Sequence, residues 1–573
     1  MLKRAMRTKT ALKQRLFTPQ DWLKGGTSQW PLLPMLSGLL IGTSYIPFQP
    51  WALFFCLVPL FIAWARAPSA RAAFWGGWMA QFTLNLIGFH WVAHTAYEFG
   101  HLPRPLALIT LILFCATAHL YYPLAGWAAW RLSRLGKREP AALGRKPSRG
   151  AGAALAPGWS LAARIGLGAA LLLFFESILP AIFPWHLGYA WIWAGWPGAQ
   201  TADVIGFEGL NVVTVAVNAC LAWAWLARRQ ARRAAFAAGL AAALALAPNV
   251  LGLGRKAAWD QTDAELNVLA VQGNIGNFEK IFAQKGSGYQ GDIVARYAAL
   301  TREGLARFPE ADAVLWPETA FPDNLDPEFL TRPYPQALRA FAREANRPIF
   351  TGAYSEDPRK KLYYNGFFSL GANGDPASQG YRKSILLAFG EYVPGSQFFP
   401  WIFDLVPAIS SFGRGDGPVA LNVAIPPRPG SPMQKRRAVK IGPQICYEGL
   451  YPDFTAGLAR AGAEIVLNVT NDSWFGDDFE PRQHLYMTLA RALEFRRPLV
   501  RATNTGITTA ILANGEILEQ SPQNQEWFGL FPVRYKRSPP ATIYQKIEGV
   551  WPWALAFLTA LLVGCAHVAN RRP

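Results

Sequence analysis

Of the five cysteines, Cys56, Cys115, Cys220 and Cys565 sit inside apolar runs, and only Cys446 lies in the long polar stretch of the chain. This pattern leaves no disulfide framework and no CxxC metal pair. A lone thiol in such a stretch is either a small packed hydrophobe or a nucleophile. Histidine is the familiar activator of a thiol, yet the polar stretch holds one histidine, His484. It falls in the helical run PRQHLYMTLARALEFRR, where a surface or packing role is expected. A cysteine–histidine dyad is therefore disfavoured, and carboxylate and lysine remain. Glu318 closes the run VLWPE, where Pro317 sets a rigid exit and the carboxylate can project from a sheet edge to take a thiol proton. Lys383 lies in YRKSILLAFGEYVP. An ammonium beside sulfur favours the thiolate and can stabilise the oxyanion formed when sulfur attacks an acyl carbonyl. Taken singly, each residue reads equally well as structural or merely solvated.

Elements able to position these groups begin near residue 265. Strands are expected at 266–273, 312–318, 348–354, 365–370, 438–448, 463–470 and 508–514, and helices at 291–308, 335–345, 454–462 and 481–496. In 291–308, Ile293, Val294, Tyr297, Leu300 and Leu305 fall near helical spacing. Strands alternating with helices, several of the strands almost wholly apolar, predict a layered α/β domain with buried sheets.

WPETA (316–320), YRKSILLAFGEYVP (381–394), GPQICYE (442–448), NDSWFG (471–476) and RATNTGIT (501–508) together resemble the nitrilase, or carbon–nitrogen hydrolase, superfamily. The resemblance implies an αββα sandwich with Glu318 as general base, Lys383 as oxyanion stabiliser and Cys446 as nucleophile. Within that superfamily the chain looks like the membrane branch, the apolipoprotein N-acyltransferases, which set this domain between seven N-terminal spans and one C-terminal span. By the same resemblance Glu391 and Glu448 are accessory carboxylates, and Tyr447 shapes the acyl site. Two departures stand out: Ala388 replaces the proline that usually precedes Phe389-Gly390-Glu391-Tyr392, and Phe278 follows Gln272-Gly273-Asn274 where tryptophan is common. The missing proline should loosen the turn after Lys383 without removing a reacting group.

The rest of the chain is apolar. Half of its 573 residues are hydrophobic (51%), and only 16% are charged, against about a quarter in soluble chains. Runs of roughly 20 apolar residues suit a bilayer, and spans are read near 31–48, 51–67, 73–94, 105–131, 163–182, 208–228, 232–252 and 550–569. Basic residues gather before residue 25, in 131–164, in the turn Arg228-Arg229-Gln-Ala-Arg232-Arg233 and at Arg571-Arg572, while alternate loops are nearly free of them. Both termini are then cytoplasmic. The net charge of +19 is mostly a topology signal, and nucleic acid is not an expected partner. Expected domains are a seven-span unit (1–252), an outer catalytic domain (253–549) and a last span with its tail (550–573). The aromatic loop 183–206 reads either as an interfacial belt or as a re-entrant element. His90, His94, His119 and His186 read as structural or interfacial.

The function implied by the resemblance is acyl transfer in a bacterial inner membrane, with the outer domain on the periplasmic side. A phospholipid, phosphatidylethanolamine, would give its sn-1 chain to Cys446 as a thioester. The N-terminal amine of a diacylglyceryl-cysteine on an apolipoprotein would then take it. No metal or cofactor is expected, and a monomer suffices. The apolar segment 395–415 reads as core or as a mobile arm guiding acyl chains. Two rival readings are a membrane-tethered amidase with the same triad and a non-catalytic scaffold or transporter.

Overall fold

The computed structural model describes residues 32–134, 160–276, 288–377, 379–395, 398, 412–427, 437–476 and 479–571. The N-terminal basic tail, most of the 131–164 linker, Phe278 and most of the 395–415 arm, including Phe399 and Trp401, lie outside the described residues.

The apolar half is a helical bundle. Its helices are α1 (Leu32–Gly42), α2 (Val58–Ala65), α3 (Ala70–Gly88), α4 (Trp91–Glu98), α5 (Arg104–Thr117), α6 (Tyr121–Leu132), α7 (Leu161–Ile178), α8 (Ala202–Leu226) and α9 (Ala231–Ala258). Among the described residues, four apolar stretches are long enough to cross a bilayer: Arg104–Leu132, Leu161–Ile178, Pro197–Leu226 and Ala231–Ala258. Leu32–Gly42 and Val550–Cys565 are apolar but shorter. The expected span 51–67 differs most from the structure. Residues 51–57 form turns, and only Val58–Ala65 is helical. Ala52, Leu53 and Cys56 are nonetheless fully buried, so their backbone groups need partners where water is excluded. Side chains supply them: Ala52 N–H donates to Ser44 Oγ (3.1 Å), Leu57 N–H to Asn218 Oδ1 (2.8 Å), and Asn218 Nδ2 to Leu53 O (2.9 Å).

The polar half is built on two sheets. Strands β1 (Ala264–Gln272), β2 (Ala313–Leu315), β3 (Phe321–Asn324), β4 (Ile349–Asp357), β5 (Leu362–Leu370), β6 (Tyr381–Arg382) and β12 (Trp527–Tyr535) form one, in order β12-β1-β2-β4-β5-β6 with β3 beside β4. The second runs β11 (Thr509–Ile511), β10 (Leu499–Thr503), β9 (Ile465–Thr470), β8 (Arg437–Ile445) and β7 (Leu421–Ile425). Helices α10 (Gln290–Arg307) and α11 (Pro333–Ala345) cover the first sheet, with Ile293, Tyr297 and Leu338 packed on Leu269 and Val271. On the other side, α12 (Pro452–Arg460) and α13 (Phe479–Phe495) cover the second. Between the sheets Val268, Ala270, Phe350 and Phe367 share a core with Val439, Ile441, Val466 and Leu467. The result is the expected αββα layering. Beyond it, α14 (Val550–Arg571) packs on α7.

The halves are joined by α13 and by the loop 183–206. That loop is not an exposed aromatic belt: Trp185, Tyr189 and Trp191 are at most 4% exposed. It folds into short helical turns at Leu187–Tyr189, Ala190–Trp193 and Pro197–Thr201. Gln483 on α13 donates to Ile46 O (2.8 Å) and Gly88 O (3.0 Å) and accepts from Trp91 Nε1 (3.3 Å). Arg496 reaches Asp203 (3.0 Å) and Gln200 O (2.7 Å). Buried charges paired this well leave little freedom for the domain to rock on the bundle.

Candidate active site

Glu318, Lys383 and Cys446 converge between the two sheets, each leaving the end of a strand. Glu318 follows β2 through Trp316 and Pro317. Trp316 is fully buried, stacks on Tyr297 (5.2 Å between ring centroids) and donates to Thr301 Oγ1 (2.9 Å). Gly352 on β4 is required here, because a Cβ at that position would lie 2.6 Å from Glu318 Cα and 2.5 Å from Thr319 N. Lys383 follows β6, and its N–H donates to Asn365 O on β5 (2.8 Å). Cys446 follows β8 and opens a tight helical turn, Cys446–Leu450, rather than ending the strand. Its φ of +50° is a conformation that a side-chain-bearing residue holds only when its surroundings enforce it.

The three residues are 6%, 1% and 7% exposed. Lys383 Nζ lies 3.4 Å from Glu318 Oε1 and 2.8 Å from Glu391 Oε1. Asn365 Nδ2 donates to the same two carboxylates, at 2.6 and 3.2 Å. Asn471 N–H donates to Glu318 Oε2 (2.9 Å), and Leu387 N–H to Glu391 Oε2 (2.9 Å). Burial alone would push the Lys383 pKa down, but Glu391 and Glu318 outweigh it and hold the ammonium well above the usual lysine value. Burial, and next the Glu318 charge, push the Cys446 thiol well up against the opposing pull of Lys383. Lys383 does pull the thiol toward the thiolate, but burial and the Glu318 charge outweigh it. The site therefore holds a neutral thiol beside the Glu318 carboxyl group.

The accessory residues separate by place. Glu391 belongs to the triad cluster. Its turn closes despite Ala388, with Phe389 N–H donating to Tyr392 O (2.8 Å) and Glu391 N–H to Leu387 O (2.9 Å). Glu448 is fully buried and accepts from Ile445 N (2.9 Å), Ser384 N (2.8 Å), Ile385 N (3.2 Å), Ser384 Oγ (3.1 Å) and Tyr381 Oη (2.5 Å). It ties the turn bearing Cys446 to the segment bearing Lys383. Tyr447 points to the bundle: its hydroxyl donates to Ile182 O and accepts from Tyr451 Oη (2.7 Å), and its ring meets Phe183 edge-on. The residue after Cys446 is thus in contact with the helical half.

Sequence reasoning missed Asn365, a polar residue in a largely apolar strand, whose position near the strand end was the available signal. It also placed His484 on a surface or in packing, whereas His484 is 4% exposed and bonded to Asp472. Asp472, Glu480 and His484 bring ligand-type atoms within 4.8 Å of one another. However, Arg501 Nη2 sits 2.8 Å from Asp472 Oδ2 and 3.3 Å from His484 Nδ1. A guanidinium in that place makes the group an ion-pair network and a poor cation site.

Comparison with known proteins gives the family. Residues 262–530 match the carbon-nitrogen hydrolase model, and residues 37–220 match the apolipoprotein N-acyltransferase N-terminal domain. Among solved structures the chain is similar to a carbon-nitrogen hydrolase from Helicobacter pylori G27 (15% identity, 54% of this chain, 96% of that one, TM-score 0.34). An apolipoprotein N-acyltransferase of Azotobacter vinelandii is 32% identical over 95% of this chain and 96% of its own. The apolipoprotein N-acyltransferase of Bdellovibrio bacteriovorus is 44% identical over 94% of each chain. With that identity sustained through both the bundle and the sandwich, the chain belongs to the apolipoprotein N-acyltransferase family.

Proposed function

We propose that the protein moves an acyl chain from the sn-1 position of a phospholipid, phosphatidylethanolamine, to the N-terminal amine of a diacylglyceryl-cysteine, through a thioester on Cys446. The observation that carries this reading is the buried Glu318–Lys383–Cys446 cluster, whose next residue, Tyr447, packs on the helical half. Both substrates keep their chains in the bilayer, and a thiol held beside an apolar bundle gains effective concentration from that. A small soluble amide would gain nothing from it.

In the first half-reaction Glu318 takes the thiol proton as sulfur bonds to the ester carbonyl carbon. The oxyanion forms beside the Lys383 ammonium, which is worth roughly 3–4 kcal/mol if it acts as a typical oxyanion donor. Collapse breaks the ester C–O bond, and Glu318 returns its proton to the leaving sn-1 alkoxide, releasing lysophospholipid. In the second, the neutral amine attacks the thioester and passes a proton to Glu318. The C–S bond breaks, and the thiolate recovers that proton. An α-amino group ionises near 7.7–8.0, so roughly a tenth to a sixth of the acceptor is already in the attacking form at pH 7. Glu391 holds Lys383, Glu448 braces the nucleophile's turn, and Tyr447 shapes the acyl entrance. Eight spans, domains at 1–252, 253–549 and 550–573, a monomeric state and an inner-membrane location with the sandwich in the periplasm complete the reading. The alternation of basic and neutral loops supports that topology.

Mass spectrometry of the purified protein after incubation with phosphatidylethanolamine tests it. An acyl mass on the Cys446 peptide, absent in Cys446→Ala and discharged by a diacylated lipopeptide, is the expected result. Discharge to free acid at the same rate with and without the lipopeptide would instead make it a hydrolase.

A further inference from the structure

The reaction scheme leaves the polar end of the acyl donor without a partner. In a glycerophospholipid the sn-1 ester lies a few bonds from a phosphodiester, so a donor presented to Cys446 brings a negative charge close to the triad. Lys383 cannot take it, being 1% exposed and held by Glu318 and Glu391. A cation beside the triad with its N–H groups unused could.

Two arginines lie beside Lys383, and they differ in what they are bonded to. Arg382, which precedes it, is committed: Nε donates to Ser355 Oγ (2.7 Å) and Nη2 to Glu356 O (3.1 Å), and Nη2 lies 3.8 Å from Asp326 Oδ2. Arg414 is exposed, and among the described residues its guanidinium has no hydrogen-bond or ion-pair partner, Asp416 included. What it has is the Tyr392 ring, whose centroid lies 5.0 Å from its Cζ. That attraction holds the guanidinium while leaving its N–H groups free to donate.

The backbone under Arg414 is tied to the triad segments on either side of it. Phe412 N–H donates to Glu391 O (3.1 Å), Gly413 N–H to Tyr363 O (2.7 Å) and Gly415 N–H to Lys383 O (2.8 Å). The Phe412 ring stacks on Tyr354, 6.4 Å between centroids and 6° between planes. Gly415 permits the close approach, since a Cβ there would run into Arg382 O. Tyr392, under the guanidinium, directly follows Glu391. The strap that displays Arg414 therefore hangs on the main chain of both residues whose side chains meet at 2.8 Å in the triad cluster.

We propose that Arg414 binds the phosphate of the acyl donor and so makes the site select a phospholipid over an uncharged diacylglycerol. The proposal deepens the acyl-transfer reading and rests on it. The guanidinium fork matches two phosphate oxygens, Tyr392 supports its plane, and the strap fixes this anion site relative to Lys383 and Glu391. Arg414 makes and breaks no bond of the reaction. It acts on donor binding and not on the chemical step, and it reads the phosphate rather than the group esterified beyond it.

The test uses the full-length protein in detergent micelles and follows Cys446 acylation by intact mass against the mole fraction of donor. Phosphatidylethanolamine and a diacylglycerol of the same chains are compared. In Arg414→Gln the half-saturating fraction of phosphatidylethanolamine should rise about tenfold, toward the diacylglycerol value, with the maximal rate held within about twofold. Arg414→Lys should recover part of the loss, because an ammonium keeps the charge but not the fork. The diacylglycerol curve and the thermal midpoint should stay put in both variants, since the side chain is exposed and its removal breaks no hydrogen bond. Excess inorganic phosphate should compete with phosphatidylethanolamine and not with diacylglycerol in the wild type, and should have no effect in Arg414→Gln. Phosphate that slows both donors alike marks a site for the free anion and overturns the assignment to a lipid. A phosphatidylethanolamine curve unchanged in Arg414→Gln, a fall in the maximal rate alone, or an equal loss with diacylglycerol also overturns it. No acyl adduct on the wild-type protein from either donor overturns the acyl-transfer reading instead.

Discussion

Replacing Lys383 by methionine tests the charge arrangement directly. The side chain is 1% exposed and lies between Glu318 at 3.4 Å and Glu391 at 2.8 Å. Without it a buried and a part-buried carboxylate face each other with no cation between them, sharing the Asn365 amide and keeping one backbone N–H each. Two like charges about 5 Å apart at an effective dielectric of about 20 repel by about 3 kcal/mol, and breaking a buried pair costs about 3–5 kcal/mol. Lys383→Met should therefore lower the thermal midpoint in detergent by on the order of 10 °C. Removing the second carboxylate as well, in Lys383→Met/Glu391→Gln, should restore most of that loss while leaving acylation dead. Like-charge repulsion favours uptake of a proton by the pair, so the deficit should be larger at pH 8 than at pH 5.5. The Lys383 pKa is itself raised, so its own contribution is fully present below about 10.5 and is lost only as pH climbs through the folded value. The pH 5–8 window therefore reports on the carboxylates. Tryptophan fluorescence follows the transition. A single variant as stable as wild type, or a double variant no more stable than the single, would refute the charge assignment.

Three further outcomes follow from other contacts. Glu318→Gln should slow acylation by about 10²–10⁴-fold yet speed iodoacetamide alkylation at pH 8, since the Glu318 charge is the main one raising the thiol; a fall in both rates would contradict the base role. Gly449→Ala should disable acylation through its clash with Thr488 Oγ1 and Cγ2, at 2.7 and 2.8 Å, and Thr488→Ala in the same chain should restore part of it. Burial, and then Asp472, hold the Glu480 pKa well up, so the stability owed to its protonated form is full below its unfolded value and fades as pH rises through the folded one. Glu480→Gln, which mimics the neutral form, should then raise the thermal midpoint more at pH 8 than at pH 5.

Much of this was legible before any coordinates, because the relevant signals are local. The motif runs carried Glu318, Lys383 and Cys446, which the fold brings together, and the sequence pattern located α10, α11, α12 and α13 within a few residues. What escaped depended on distant partners. β3, β6, β7, β10 and β12 were missed; β6 is two residues long and exists only because β5 lies beside it. Asn365 gained meaning only when β5 brought it to two carboxylates 47 and 26 positions away. His484 resembled any helix histidine until Arg501 and Asp472 closed around it. The apolar run 51–67 has the composition of a span, but its turns are possible only because Ser44 and Asn218 complete their hydrogen bonds.

Those turns also impose an order on biogenesis. Leu57 and Leu53 find their partner in Asn218, 161 and 165 positions further along the chain. At about 5–20 residues per second of synthesis, roughly 10–30 s pass before that asparagine emerges from the ribosome. During this interval the bare peptide groups cannot enter hydrocarbon, where each would cost several kcal/mol. The nascent N-terminal segment must wait in a watery or proteinaceous shelter until α8 arrives. A chain stopped short of residue 218 would be a substrate for membrane proteolysis, whereas one stopped after α8 would carry a closed N-terminal bundle.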